Sequence, residues 1–108
     1  DKSKQTGAAL RLPPIRTYAS YEEMILTEKT LPEDQRMDFV SIVTPNHMHF
    51  GPAKLAMEHG FHVVLDKPVT FSLAEALELK QVIEKTGALF CLTHTYTGYP
   101  MIKEAKQL

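Results

Sequence analysis

The stretch FHVVLDKPVTF, residues 61–71, begins as an apolar run, Phe61 to Leu65, and breaks off into Asp66, Lys67 and Pro68. Two other runs resemble it, DFVSIV from Asp38 to Val43 and ALFCLT from Ala88 to Thr93. All three are short and rich in β-branched or aromatic residues. Continuous apolar runs of this length suit strands covered on both faces, as in a parallel sheet, although a buried helix gives the same local pattern. The segments between the runs decide. After Phe71, SLAEALELKQVIEKTG offers Ser72 as an N-cap, Glu75 to complete a capping box and Gly87 as the stop. Leu73, Ala76, Leu77, Leu79 and Ile83 keep mostly to one side of that helix. Before Phe61, FGPAKLAMEHG gives a shorter helix, with Pro52 in its first turn, Gly60 closing it, and Ala53, Ala56 and Met57 toward the sheet. Strand, helix, strand, helix, strand implies two right-handed crossovers between parallel neighbours. The expected class is therefore α/β, with the repeating unit of a doubly wound parallel sheet.

Upstream, Ser20 and Glu23 in ASYEEMILTEK form a second candidate capping box, so a helix leads into the first strand. RLPPIRTY is expected to be extended, with a short edge strand around Ile15 to Tyr18, and TLPEDQR to be a loop. PMIKEAKQL is expected to be helical after Pro100. There are no internal repeats and no low-complexity segments.

Composition narrows the function classes. The 108 residues are 44% hydrophobic, with 12 basic against 13 acidic side chains, which fits one small, nearly neutral globular unit with a thin core. No basic stripe points to nucleic acid. No apolar stretch approaches the roughly 20 residues of a membrane span, and DKSKQTGAAL carries no secretory apolar segment, so a soluble, cytoplasmic protein is expected. The single cysteine, Cys91, excludes a disulfide framework and is expected to be a buried, inert thiol.

Parallel strands bring their carboxyl ends to one edge of the sheet, where ligands of open α/β folds bind. The three runs are followed by TPNHMH (Thr44 to His49), DKP (Asp66 to Pro68) and HTYT (His94 to Thr97). The residue before a proline is pushed out of helical geometry, so Lys67 is held extended at a strand end with its ammonium over that edge. There it can bond a substrate oxygen or a ribose hydroxyl, with Asp66 orienting it. The plainer reading is a Lys67–Asp66 surface pair worth under about 1 kcal/mol. The two histidines of HMH lack a third ligand at convincing spacing, so no metal site is expected. A Schiff-base lysine would require a phosphate cradle that is not evident. Cys91 and His94 would fall on opposite faces of a strand, which argues against a Cys–His nucleophile pair.

The segment VSIVTPNHMHFGPAKLAMEHGFHVVLDKP, Val40 to Pro68, resembles the Gfo/Idh/MocA oxidoreductases, the family of glucose-fructose oxidoreductase and inositol 2-dehydrogenase. The resemblance continues to about Leu108. Three elements carry it in order: a strand ending Thr-Pro-Asn with a nearby His, a helix ending His-Gly, and a strand ending in an acidic-Lys-Pro motif. The resemblance implies that Thr44, Pro45 and Asn46 line a dinucleotide, NAD or NADP, with His49 near the cofactor. It implies that Lys67, flanked by Asp66 and Pro68 in the cofactor site, contacts the substrate and the nicotinamide ribose as the catalytic lysine. Asp66 stands where the family usually has Glu, and the Lys67–Pro68 peptide is expected to be cis. His94, Tyr96 and Thr97 fall on the substrate side, with Thr97 in place of an arginine common in relatives. The implied substrate is a sugar, polyol or related hydroxyl compound, and a homo-oligomer is expected.

The five glycines, Gly7, Gly51, Gly60, Gly87 and Gly98, include no G-x-G pair, so the turn that meets a pyrophosphate is missing. Residues 1–108 are therefore expected to be the second half of a dinucleotide-binding domain, without the Gly-rich first βαβ unit and without the family's α+β substrate domain. The isolated chain is expected to be inactive. A second reading is a non-catalytic α/β module that binds no cofactor and self-associates through its exposed sheet edge and uncovered apolar faces.

Overall fold

A computed structural model describes residues 2–108. In chain order its principal elements are α1 (Lys2–Ala9), α2 (Tyr21–Lys29), β1 (Phe39–Ile42), α3 (Phe50–Glu58), β2 (His62–Leu65), α4 (Leu73–Thr86), β3 (Phe90–Leu92) and α5 (Pro100–Ala105). The strands form a three-stranded parallel sheet in the order β1-β2-β3. The register sets Val40 opposite Val63 and Val63 opposite Phe90. The crossovers are α3 and α4, giving the α/β arrangement read from the sequence.

Helix boundaries follow local chemistry. Ser72 Oγ accepts from the Glu75 N–H at 3.3 Å, and Glu75 accepts from the Ser72 N–H at 3.0 Å, completing the expected capping box. Gly87 ends α4 at φ +68°, in the left-handed region that favours glycine, and its N–H reaches the Ile83 carbonyl at 2.9 Å. At α2 the box is displaced by one residue. Ser20 accepts from the Glu23 N–H, but the Glu23 carboxylate takes the Ala19 N–H at 2.7 Å.

The core lies on one side of the sheet. Val40, Ile42, Val63 and Leu65 are buried beneath Ala53, Ala56 and Met57 of α3 and Leu79 and Val82 of α4, with Ile25 of α2 completing the layer. The other face is open: Phe39 is 55% exposed, and His62 and Cys91 are also exposed. Strands were expected to be covered on both faces and are covered on one. The expected burial of Cys91 is corrected for the same reason. Alternation along β3, with Cys91 paired to Val64, turns the thiol to the uncovered face.

Two further expectations are revised. Residues 14–16 of the expected edge strand region form a short 3₁₀ turn, Pro14–Arg16, because consecutive prolines fix φ and withhold ladder N–H groups. On α4 the buried stripe runs through Leu79 and Val82 with Ile83 partly buried, whereas Leu73 and Leu77 are exposed. Helix α1, unannounced by any periodic pattern, packs through Gly7, where an added Cβ would collide with Thr17 Cγ2.

Buried Glu28 ties the upstream segments together. Its carboxylate receives Arg16 at 2.7 and 2.9 Å, the Tyr18 hydroxyl at 2.6 Å and the Met37 N–H at 3.0 Å. Burial first, and Glu28 second, push the Tyr18 phenol up to about 12.

Candidate functional site

The carboxyl ends of the strands are stitched together. The Asp66 N–H reaches the Ile42 carbonyl at 3.0 Å, and the Thr93 N–H reaches the Leu65 carbonyl at 2.9 Å. Parallel register therefore sets Thr44–Asn46, Asp66–Pro68 and Thr93–His94 side by side.

After β1, Thr44 and Pro45 lead into the 3₁₀ turn Asn46–Met48, and the Thr44 hydroxyl bonds the Met48 carbonyl at 3.3 Å. Thr44 and Pro45 are exposed and Asn46 is half-buried. His49, the residue before α3, is only 1% exposed. Its Nδ1 lies 2.8 Å from the Pro68 carbonyl and its Nε2 lies 2.8 Å from the Thr44 carbonyl. The ring thus sits beneath the site, between the loop after β1 and the turn after β2.

After β2 the Lys67–Pro68 peptide is cis. Asp66 accepts a 2.6 Å hydrogen bond from the Thr93 hydroxyl. That bond, followed by one from the Lys67 backbone, holds the Asp66 carboxyl below the ordinary carboxylate range. The Lys67 side chain is exposed and forms no ion pair among the described residues; its ammonium lies 5.3 Å from the centroid of the Tyr96 ring. The Lys67–Asp66 surface pair does not form, since Asp66 turns to β3 while the lysine leans over the tyrosine.

After β3, His94 precedes a 3₁₀ turn, Thr95–Gly98. Thr97 donates to the His94 carbonyl at 2.7 Å, and Tyr96, 57% exposed, stands 6.1 Å from the Tyr99 ring. All three expected substrate-side residues, His94, Tyr96 and Thr97, lie in the segment after β3, with Tyr96 beside Lys67. Thr93 was not anticipated, although the register that puts Leu65 opposite Leu92 makes Asp66 and Thr93 neighbours. No cluster of three or more metal-ligating side chains occurs among the described residues. A groove of about 610 Å³ lies between α1 and the segment Leu12–Met24, away from this edge.

Residues 2–105 match the Gfo/Idh/MocA family, the oxidoreductase family with an NAD-binding Rossmann fold. The chain belongs to that family. Among solved structures, this Gfo/Idh/MocA chain is 43% identical to an oxidoreductase from Sinorhizobium meliloti, with a TM-score of 0.84 over 98% of the chain and 30% of that protein. It is 31% identical, with a TM-score of 0.83, to an inositol dehydrogenase homolog from Azotobacter vinelandii complexed with NADH and myo-inositol, covering 97% of the chain and 27% of that protein. It is 32% identical over its whole length to the uncharacterized oxidoreductase YfiI of Bacillus subtilis, covering 27% of that protein. The chain spans under a third of the length of these relatives. No helix among the described residues is long and apolar enough to cross a membrane. The comparisons lend no support to the non-catalytic reading.

The residues present suit one end of a dinucleotide. An exposed ammonium, an aromatic ring and the loop Thr44–Asn46 lie along one edge of the sheet. A pyrophosphate cradle is not among them.

Proposed function

We propose that this chain forms the nicotinamide side of the nucleotide-binding domain of an NAD(P)-dependent dehydrogenase acting on a sugar, polyol or related hydroxyl compound. The observation that carries the reading is the division of labour at the carboxyl edge. Asp66 and His49 are engaged within the protein, which leaves Lys67 exposed, held by a proline on its C-terminal side and available to a ligand. The nicotinamide, when bound, supplies hydride transfer.

The protein's own groups supply position and charge. Lys67 donates to the substrate hydroxyl or to a ribose hydroxyl and offsets negative charge developing on the substrate oxygen. Tyr96 restrains the lysine from one side. Thr44, Pro45 and Asn46 wall the cofactor, and His94 and Thr97 stand toward the substrate. His49 acts through the two loops it bridges, and Pro68 fixes the turn. Relatives include a D-xylose 1-dehydrogenase (NADP(+)) of Haloferax volcanii as well as the NADH complex, so both dinucleotides are tested. Residues 1–108 are read as part of a longer enzyme, a cytoplasmic homo-oligomer, with little activity alone.

Titration with NADH and NADPH, followed by nicotinamide fluorescence, is run on this chain and on the protein extended through the upstream glycine turn. Tight binding by the extended protein is expected; binding by neither overturns the reading. In the full-length enzyme, Lys67→Ala is expected to lower turnover roughly a hundredfold or more, as loss of one positioned charge-stabilising donor does elsewhere. Turnover near wild type would remove Lys67 from the chemistry.

A further inference from the structure

His49 presents a hydrogen-bonding problem with one solution. Both ring nitrogens lie 2.8 Å from backbone carbonyl oxygens, Nδ1 from that of Pro68 and Nε2 from that of Thr44. Carbonyl oxygens only accept. A neutral imidazole has a single N–H, so either tautomer would set a bare nitrogen lone pair against a carbonyl oxygen. With the ring 1% exposed, water has little room to relieve that contact. An imidazolium donates at both nitrogens and satisfies both carbonyls.

We propose that His49 is held as an imidazolium, a charged clasp whose two N–H groups tie the loop after β1 to the cis-proline turn after β2, with the Asp66 carboxylate as its nearby counter-charge. The backbone explains why a side chain is needed. Pro45 and Pro68 lack N–H groups, so these two loops have few donors with which to hold one another directly. A buried cation is tolerated only where it is hydrogen-bonded and balanced. Two charge-assisted bonds supply the first, and the Asp66 carboxylate, two residues before Pro68 on the same turn, supplies the second. The other titratable groups flanking this region are His47 on the same turn, Lys67 beside Asp66, and Tyr21 of α2, whose hydroxyl approaches Gly51. The consequence for catalysis rests on the function proposed above: the separation of the Thr44–Asn46 wall from Lys67 is set by one charged ring, and His49 is a positioning residue.

The test is nitrogen NMR of the protein labelled with ¹⁵N-histidine at neutral pH, His49 being assigned by loss of its signals in His49→Gln. Two protonated ring nitrogens, each with a slowly exchanging proton, are expected. A neutral tautomer, with one unprotonated nitrogen, overturns the proposal. The wild-type protein decides this even if the variant folds poorly, and no dinucleotide is involved. An imidazolium in a protein whose extended form binds neither NADH nor NADPH would leave the clasp standing and remove the functional reading. Where binding occurs, His49→Gln keeps a single donating nitrogen and is expected to weaken it about tenfold with the circular dichroism unchanged, the effect of one charged hydrogen bond lost. Unchanged affinity would remove the positioning role.

Discussion

Asp66 shows how a single side chain can be redirected by a neighbour at the next strand end, distant in sequence but adjacent in space. Its carboxylate takes the Thr93 hydroxyl at 2.6 Å rather than the Lys67 ammonium. The folded carboxyl therefore titrates below its unfolded value, with the Thr93 bond as the largest cause. A depressed carboxyl contributes stability above the unfolded value, and that contribution is lost as pH falls through the folded one. Thr93→Val should return Asp66 toward the ordinary carboxylate range and bring the onset of acid unfolding to higher pH. Carboxyl ¹³C titration of the variant checks this; an unmoved Asp66 would assign the shift to Lys67 or to backbone donors. The Lys67–Asp66 pairing suggested by their adjacency fails for a geometric reason. Successive side chains on extended backbone point to opposite sides, so neighbours in sequence are poorly placed to meet.

Helix α2 owes its place to charge as well as to apolar packing. Ile25 anchors it to the core, but buried Glu28 also gathers Arg16, Tyr18 and the Met37 N–H from two separate connections. Glu28→Ala should cost about 3 kcal/mol, the low end for breaking such a pair because Arg16 stays partly solvated. Urea unfolding measures the loss. The Tyr18 phenol, raised to about 12 in the wild type, should then ionise at lower pH, with burial, the larger cause, still holding it up. A raised phenol contributes stability that is complete below about 10 and disappears as pH climbs toward 12, so the share of this contribution that comes from Glu28 should be lost from the alkaline unfolding profile of the variant. No sequence pattern announced the network, since Arg16, Glu28 and Met37 share no helical or strand spacing. By contrast, the capping box at Ser72 and the Gly87 stop were legible, because the groups that satisfy them lie within four residues.

The sheet as a whole has a covered face and an open one. In a doubly wound domain the second face carries further helices, and the open face here bears Phe39, His62 and Cys91. Under the proposal that an upstream half completes the domain, Cys91 should react readily with an aromatic disulfide reagent in this chain. It should be protected in the extended protein. Equal reactivity in both would show that the upstream half packs elsewhere.

What the amino-acid order determined alone was everything that depends on near neighbours or on periodicity. That includes the three apolar runs, the helices between them, the parallel order that follows from two crossovers, and the gathering of three polar segments at one edge. The family resemblance rested on the same local motifs, Thr-Pro-Asn and acidic-Lys-Pro, and the match over residues 2–105 supports it. Tertiary structure alone decided which face of the sheet is covered, because an apolar strand reads the same whichever side its helices occupy. It decided that Asp66 serves Thr93 and that Lys67 stands over Tyr96, since these contacts span 27 and 29 positions of chain. It also decided that His49 lies beneath the site with both nitrogens taken, because a histidine's partners are chosen by the backbone carbonyls the fold brings to it.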